Sequence, residues 1–392
     1  MSHPFDALTH EVLRHDESVK WATFGTDVLP LWIADMDFPV ASEVREALLR
    51  RVEGPLGYGL LAGDPRLYAL VNDKEVARGS APYDPAAMML MPGVVPGLYA
   101  AVLGLTSPGD EIVTHVPIYP PFLSAIADHG RVTRAVPLTA PGGDAARWEI
   151  DWDAMEAAVT PRTRLLMLCS PHNPTGRVWS REELARLAEF ALRHRLWVVS
   201  DELHADLVLD GTFVPFASVS PEVARRTVTL TGPCKTYNTA ALGIGLATSH
   251  EPALIDAMRA ATKGVMGHPA ALAQTAWMAG LSSDGAWLAD VLGYLRANRD
   301  HLVARVARDL PGVRFTPPEA TYLAWLDFSA LGWDERPQVR LLERARVGLS
   351  DGLTFGEGYG AFARLNFATS RAVLDEAVDR LTDAVREASP VS

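Results

Sequence analysis

RLLMLCSPHNPTG (164–176) and LWVVSDELH (196–204) decide the fold. Arg164 to Cys169 is an unbroken apolar run, the pattern of a strand buried on both faces. Ser170-Pro171-His172-Asn173-Pro174-Thr175-Gly176 stops it. Proline and glycine bar further regular structure, so Asn173 is expected on a rigid loop just past the strand. Leu196 to Ser200 is a second such run, ending in Asp201-Glu202-Leu203-His204. Between them, residues 182–195 place Leu184, Leu187, Ala188 and Ala191 on one face of an amphipathic helix. Strand, helix and parallel strand make a βαβ unit, and such units hold ligands at the carboxyl ends of their strands.

A third run, Thr227-Val228-Thr229-Leu230-Thr231, leads through Gly232-Pro233-Cys234 to Lys235. The chain has 36 basic residues, and only Lys20, Lys74, Lys235 and Lys263 are lysines. Arginine cannot become a neutral nucleophilic amine. Lysine can, and it can form an imine with an aldehyde. Asn173, Asp201 and Lys235 are therefore expected to converge on one rim of one sheet.

With those residues in view, the chain resembles a fold-type I pyridoxal-phosphate (PLP) enzyme of the class I/II aminotransferase superfamily. Within it, the chain resembles the MalY/PatB cystathionine β-lyase branch. The segments that carry the resemblance are LWIADMDFP (31–39), GYG (57–59), PGVVPGL (92–98), YPPF (119–122) and SPHNPTGRVW (170–179). They continue with SDELHADLV (200–208), GPCKTYN (232–238), PEATYLAWLDF (318–328) and FARLNFAT (362–369). The implied fold is α/β, with a mostly parallel central sheet flanked by helices and a smaller α+β domain. Residues 46–280 would form the large cofactor domain, and 1–45 with 281–392 the small one.

The resemblance also implies roles. Lys235 would carry the cofactor aldehyde and, once freed, remove the substrate Cα proton. Asp201 would keep the pyridine nitrogen protonated, and Asn173 and His204 would lie near the phenolic oxygen. The Tyr119 ring would stack on the pyridine. Gly93, Val94 and Val95 open an apolar helix whose free N–H groups suit a phosphate. Thr231 and Cys234 flank the same site, and Tyr58 would reach it from a partner subunit. Arg364 would clamp the substrate α-carboxylate through a guanidinium fork, with Trp32 and Tyr322 as side-chain walls. Asn366 reads as structural support for the Arg364 strand.

The lysine motif departs from the family pattern. Cys234 stands where a serine or threonine is usual, Gly232 lacks a hydroxyl, and Gly243 replaces a basic residue eight positions on. Phosphate binding would then lean on backbone amides, Tyr58 and Thr231.

Net charge is −12, which argues against nucleic-acid partners. Cys169 and Cys234 show no metal spacing and no disulfide framework, which suggests a reducing cytoplasm. MSHPFDALTHEVLRHDE (1–17) has no apolar core of the kind a signal peptide needs, and no stretch approaches a membrane span. The scattered His115, His129, His172 and His194 read as structural or surface residues.

The branch favours α,β-elimination from cystathionine or another S-substituted cysteine, giving thiol, pyruvate and ammonia. The competing readings are an aminotransferase, a lyase of cysteine S-conjugates in specialised metabolism, with or without decarboxylation, and a PLP-binding regulator without turnover. The segment 262–275 carries no arginine, so a second carboxylate looks poorly served and an uncharged thioether fits better. A homodimer with shared sites is expected.

Overall fold

Strands form where the apolar runs lie. The computed structural model describes residues 3–142 and 147–386. Seven strands make its central sheet, in the order Met88–Met91, Gly245–Ser249, Thr227–Thr231, Trp197–Asp201, Thr163–Cys169, Glu111–Val116, Val132–Pro137. Gly245–Ser249 runs antiparallel to both neighbours, and the other six strands run parallel to one another. Leu165 to Leu168 and Val198 to Val199 are fully buried, as an unbroken apolar strand between two helical layers must be.

The helix Arg181–Arg193 connects two of these strands and buries Leu184, Leu187, Ala188, Phe190 and Ala191. Its start is a capping box. Ser180 Oγ accepts from the Glu183 N–H, and Glu183 Oε2 accepts from the Ser180 N–H. Caps of this kind contribute about 0.5–2 kcal/mol. The helix stops two residues short of the expected end, because Arg195 turns the chain with a φ of 55°.

The Pro-rich segment after Tyr119 is helical. Tyr119 caps the helix Pro120–Ala127, and prolines suit a first helical turn, whose N–H groups need no partner within the helix.

A second, four-stranded antiparallel sheet runs Ser350–Asp351, Phe362–Asn366, Leu323–Asp327, Arg314–Phe315. The long helix Ala286–Asp309 packs against it through Val291, Leu295 and Leu302. One apolar core joins Phe5, Trp21, Leu31 and Phe38 to Leu302, Tyr322, Leu326, Phe367 and Leu381. The start of the chain thus packs with its end. The strand Leu29–Pro30 pairs in parallel with Val347–Gly348, which brings residues 31–38 across the carboxyl rim of the large sheet. Among the described residues, no helix is long and apolar enough to cross a membrane.

Candidate active site

Three parallel strands that are neighbours in the sheet present their carboxyl ends together. Register sets Cys169 opposite Asp201 and Asp201 opposite Leu230. Asn173, Asp201 and Lys235 follow from these ends. The structure therefore brings the sequence-predicted trio to one rim.

The loop bearing Asn173 is fixed from several sides. The His172 N–H donates to Arg177 O at 2.9 Å, and the Gly176 N–H to His172 O at 2.7 Å. His172 Nδ1 meets Thr175 Oγ1 at 2.9 Å. Buried Arg177 ties the loop to Glu319 at 2.6 Å and to Glu183 at 2.6 Å. Asn173 Oδ1 accepts from Arg364 Nη1 at 3.0 Å.

Arg364 sits on the central strand Phe362–Asn366 and is 4% exposed. Its Nη2 donates to Trp32 O at 3.0 Å and to Ser350 Oγ at 3.2 Å. The guanidinium lies 5.0 Å from the Phe355 ring, while Nε has no partner among the described residues. Burial pulls its pKa down to about 10, so it remains a cation at neutral pH.

Lys235 donates to Ala34 O, which also accepts from Tyr322 Oη at 2.9 Å. Asn366 holds the same stretch, its Nδ2 donating to Ile33 O at 2.8 Å and Asp35 O at 2.6 Å. The 31–38 segment is thus a wall facing Lys235. Trp32 contributes to it through its carbonyl, and its ring meets Phe24 edge-on at 6.1 Å.

Asp201 is buried, and burial pushes its carboxyl up to about 7 against the pull of the Leu203 N–H and of Lys235. The Leu203 N–H donates to Oδ1 at 3.1 Å. His204 is buried too, its pKa lowered to about 3 chiefly by burial and then by Lys235 and Arg364. It is therefore a neutral imidazole, with Nδ1 unpartnered among the described residues. Tyr119 is a phenol raised by burial, with Arg364 opposing and Asp201, Cys234 and Cys169 reinforcing.

A folded Asp201 holds a proton that the unfolded chain gives up between about 4 and about 7. The folded state binds more protons there, so this contribution to stability is full below that window and is lost as pH rises through it. Asp201→Asn should flatten that part of the curve in ligand-free protein, by on the order of a few kcal/mol. Thermal melts of both proteins from pH 4 to 8 check this. Parallel curves would show that Asp201 is not raised.

Gly93 opens the helix Val94–Leu105 with a φ of 144°. Strand residue Gly245 lies against it, since a Cβ there would sit 2.8 Å from Gly93 C and 3.0 Å from Val94 N. Close approach also explains Gly232, where a Cβ would come within 3.0 Å of Ile244 O. A side chain at that position would therefore press on the neighbouring strand. Thr231 is half-buried at the end of its strand, and burial raises the Cys234 thiol while Lys235 opposes.

Tyr58 is the exception. It is 100% exposed, so any role in a site requires a second chain. Of the scattered histidines, His115 and His172 are buried, and burial holds both below the ordinary imidazole range. His194 pairs with Glu156 at 2.9 Å.

Sequence reasoning passed over Ser350, Asp35 and Asn238. Asn238 Nδ2 donates to Met36 O at 3.0 Å and Phe38 O at 2.8 Å. The motifs 31–39 and 232–238 each held one side of this contact, and neither named the other as its partner.

The family model for aminotransferase class I and II matches residues 26–381, and the chain belongs to that family. Within the family it is similar to cystathionine beta-lyase PatB of Bacillus subtilis (strain 168), at 37% identity over 94% of this chain and 97% of that protein. The crystal structure of OvoB superposes with a TM-score of 0.90 at 38% identity, over 95% of this chain and 97% of that one. Cystalysin from Treponema denticola, whose structure contains a pyridoxal 5'-phosphate cofactor, gives a TM-score of 0.92 at 28% identity. That likeness covers 99% of this chain and 100% of the other.

Proposed function

We propose that this chain is a pyridoxal-phosphate-dependent carbon–sulfur β-lyase, cleaving an S-substituted L-cysteine to thiol, pyruvate and ammonia. The observation that carries the reading is the convergence of Asn173, Asp201 and Lys235 on one rim, opposite a buried Arg364 with a free Nε. The likeness to a protein named cystathionine beta-lyase along almost the whole chain supports it.

The unsatisfied groups fit the cofactor. Asp201 is a buried acid whose burial outweighs the pull of the Leu203 N–H and Lys235, and a protonated pyridine nitrogen would supply the further positive charge that favours its ionised form. Asn173 and His204 Nδ1 offer polar atoms toward a phenolic oxygen. The N–H groups at Gly93, Val94 and Val95, with Thr231 and Cys234, offer a phosphate cradle. When bound, pyridoxal phosphate supplies an electron sink for charge developing at the substrate Cα.

The protein does the rest. Lys235 holds the cofactor aldehyde and moves the Cα proton. Arg364 grips the α-carboxylate, turning the Cα–H bond toward that amine. Tyr119 covers the cofactor face, and Trp32 and Tyr322 exclude water from the side-chain end. The Cβ–S bond then breaks, the sulfur leaves as thiolate and takes up a proton to become thiol, and one water hydrolyses the remaining three-carbon imine to pyruvate and ammonia. No arginine in 262–275 is at hand for a second carboxylate, which favours elimination over transfer from aspartate.

The test is product analysis with cystathionine, S-alkyl cysteines, aspartate and glutamate. Pyruvate and thiol should form from a thioether, with amino transfer from either acid far slower. Efficient transfer with no pyruvate from any thioether would make the protein an aminotransferase.

We also read the enzyme as a cytoplasmic homodimer built from the two domains described for the sequence. Both cysteines are free. Leu56, Leu60 and Leu61 are exposed in the same stretch of chain as Tyr58, and Leu56 and Leu61 line one pocket with it, an apolar surface of the kind that marks interfaces. Hybrids of Lys235→Ala with Tyr58→Phe subunits check the shared site. Shared sites put both lesions in one site and leave the other whole, so hybrids should keep about half of wild-type activity. A fully active monomer would exclude the arrangement.

A further inference from the structure

Two of the four lysines brace Lys235. Lys74, on the helix Pro65–Ala77, places Nζ 2.5 Å from Asp206 Oδ2. Arg78, one turn on, pairs with the other carboxylate oxygen. Oδ2 also accepts from Thr236 Oγ1 at 2.8 Å, and Thr236 is fully buried beside Lys235. Burial alone would raise Asp206, but Lys74 and Arg78 outweigh it and hold the carboxyl below its ordinary value. Asp206 is therefore a fixed anion whose third tie is the residue after the lysine.

The other wall is built the same way. Lys20, 1% exposed, pairs with Asp37 Oδ1 at 2.9 Å and donates to Asp35 O at 3.1 Å. It thus holds the segment whose Ala34 carbonyl receives Lys235. Asn238, at a φ of 53°, latches the two walls together through Met36 and Phe38. The turn itself closes with the Tyr237 N–H on Pro233 O at 2.8 Å and the Thr239 N–H on Cys234 O at 3.1 Å.

We propose that Asp206, anchored by Lys74 and Arg78 and acting through Thr236, is a positioning residue that aims the Lys235 amine at the substrate Cα–H. This rests on the reading of Lys235 as the group that moves that proton. A half-buried ion pair is weak evidence for stability alone. Here its third hydrogen bond falls beside the one amine that must be aimed, and small misplacements of a reacting group are costly.

The test uses holoenzyme carrying Thr236→Val, which removes one hydrogen bond at nearly constant volume and leaves the ion pairs whole. Asp206→Asn is run beside it. Turnover is compared for substrate with hydrogen or deuterium at Cα, and amide exchange is followed by mass spectrometry over residues 233–238. We expect kcat per bound cofactor to fall roughly tenfold or more, with KM within about twofold. The isotope effect on kcat should rise, since proton removal becomes slower relative to other steps. Exchange at 233–238 should quicken without a change elsewhere.

Wild-type kcat, isotope effect and exchange in Thr236→Val would overturn the positioning role, whether or not Asp206→Asn folds. Lys235→Ala separates the two failures. If it is inactive beside an unaffected Thr236→Val, only the positioning role falls. If it is active, the reading of Lys235 falls, and this proposal with it.

Discussion

Lys235→Ala holoenzyme will lose its turnover almost completely, by at least about a thousandfold. Positioned acid–base groups contribute roughly a hundredfold to ten-thousandfold on their own, and the proposed function gives this lysine a second task as the covalent anchor of the cofactor. Nothing nearby replaces it. Lys20 is buried in its pair with Asp37, and Lys74 is held by Asp206. The variant should fold, because the Lys235 side chain makes one hydrogen bond, to Ala34 O, which keeps Tyr322 Oη as a donor. Turnover with a cysteine thioether, together with the visible absorption of the bound cofactor, reads the result. Retention of more than about a tenth of wild-type turnover would remove Lys235 from the centre of the mechanism.

Asp201→Asn should be the next most damaging change. The amide is nearly isosteric and keeps an acceptor for the Leu203 N–H, so the fold and part of the cofactor affinity should survive. It cannot balance a cation. A hydrogen bond to a charged group is worth about 1.5–3 kcal/mol, roughly ten- to 150-fold in rate. Burial makes that charge dearer to leave unpaired, as the raised carboxyl of Asp201 shows, so kcat should fall by about a hundredfold or more. Steady-state kinetics per bound cofactor, with KM followed separately, measures it. A near-normal kcat would show that Asp201 faces no cation.

The central sheet was legible because its strands are buried on both faces. Thr163–Cys169 and Thr227–Thr231 needed no tertiary information beyond an apolar run and the turn residues that stop it. Asn173, Asp201 and Lys235 were legible for the same reason, since parallel strands deliver their ends to one rim. Element ends were less so. Arg195 leaves the helix through a left-handed backbone angle, and no side-chain pattern announces that.

What the sequence did not show are contacts between distant segments. Ser350 touches Trp32 O and Arg364, and Asn238 joins residues 36 and 38 from 200 or more positions away. Asp206 lies inside a quoted motif, yet its partners Lys74 and Thr236 lie on a helix and a turn that only the fold brings together. The lysine bias pointed toward Lys235 alone. The structure shows that two of the other three lysines are spent around it.

The claim on which the account rests is that Lys235 bears the cofactor. Borohydride reduction of the purified holoenzyme, followed by peptide mass mapping, tests it directly. The account predicts one reduced pyridoxyl-phosphate adduct per chain, on Lys235 within GPCKTYN (232–238). An adduct on Lys20, Lys74 or Lys263 instead, or a cofactor-loaded protein that yields no adduct, would contradict it.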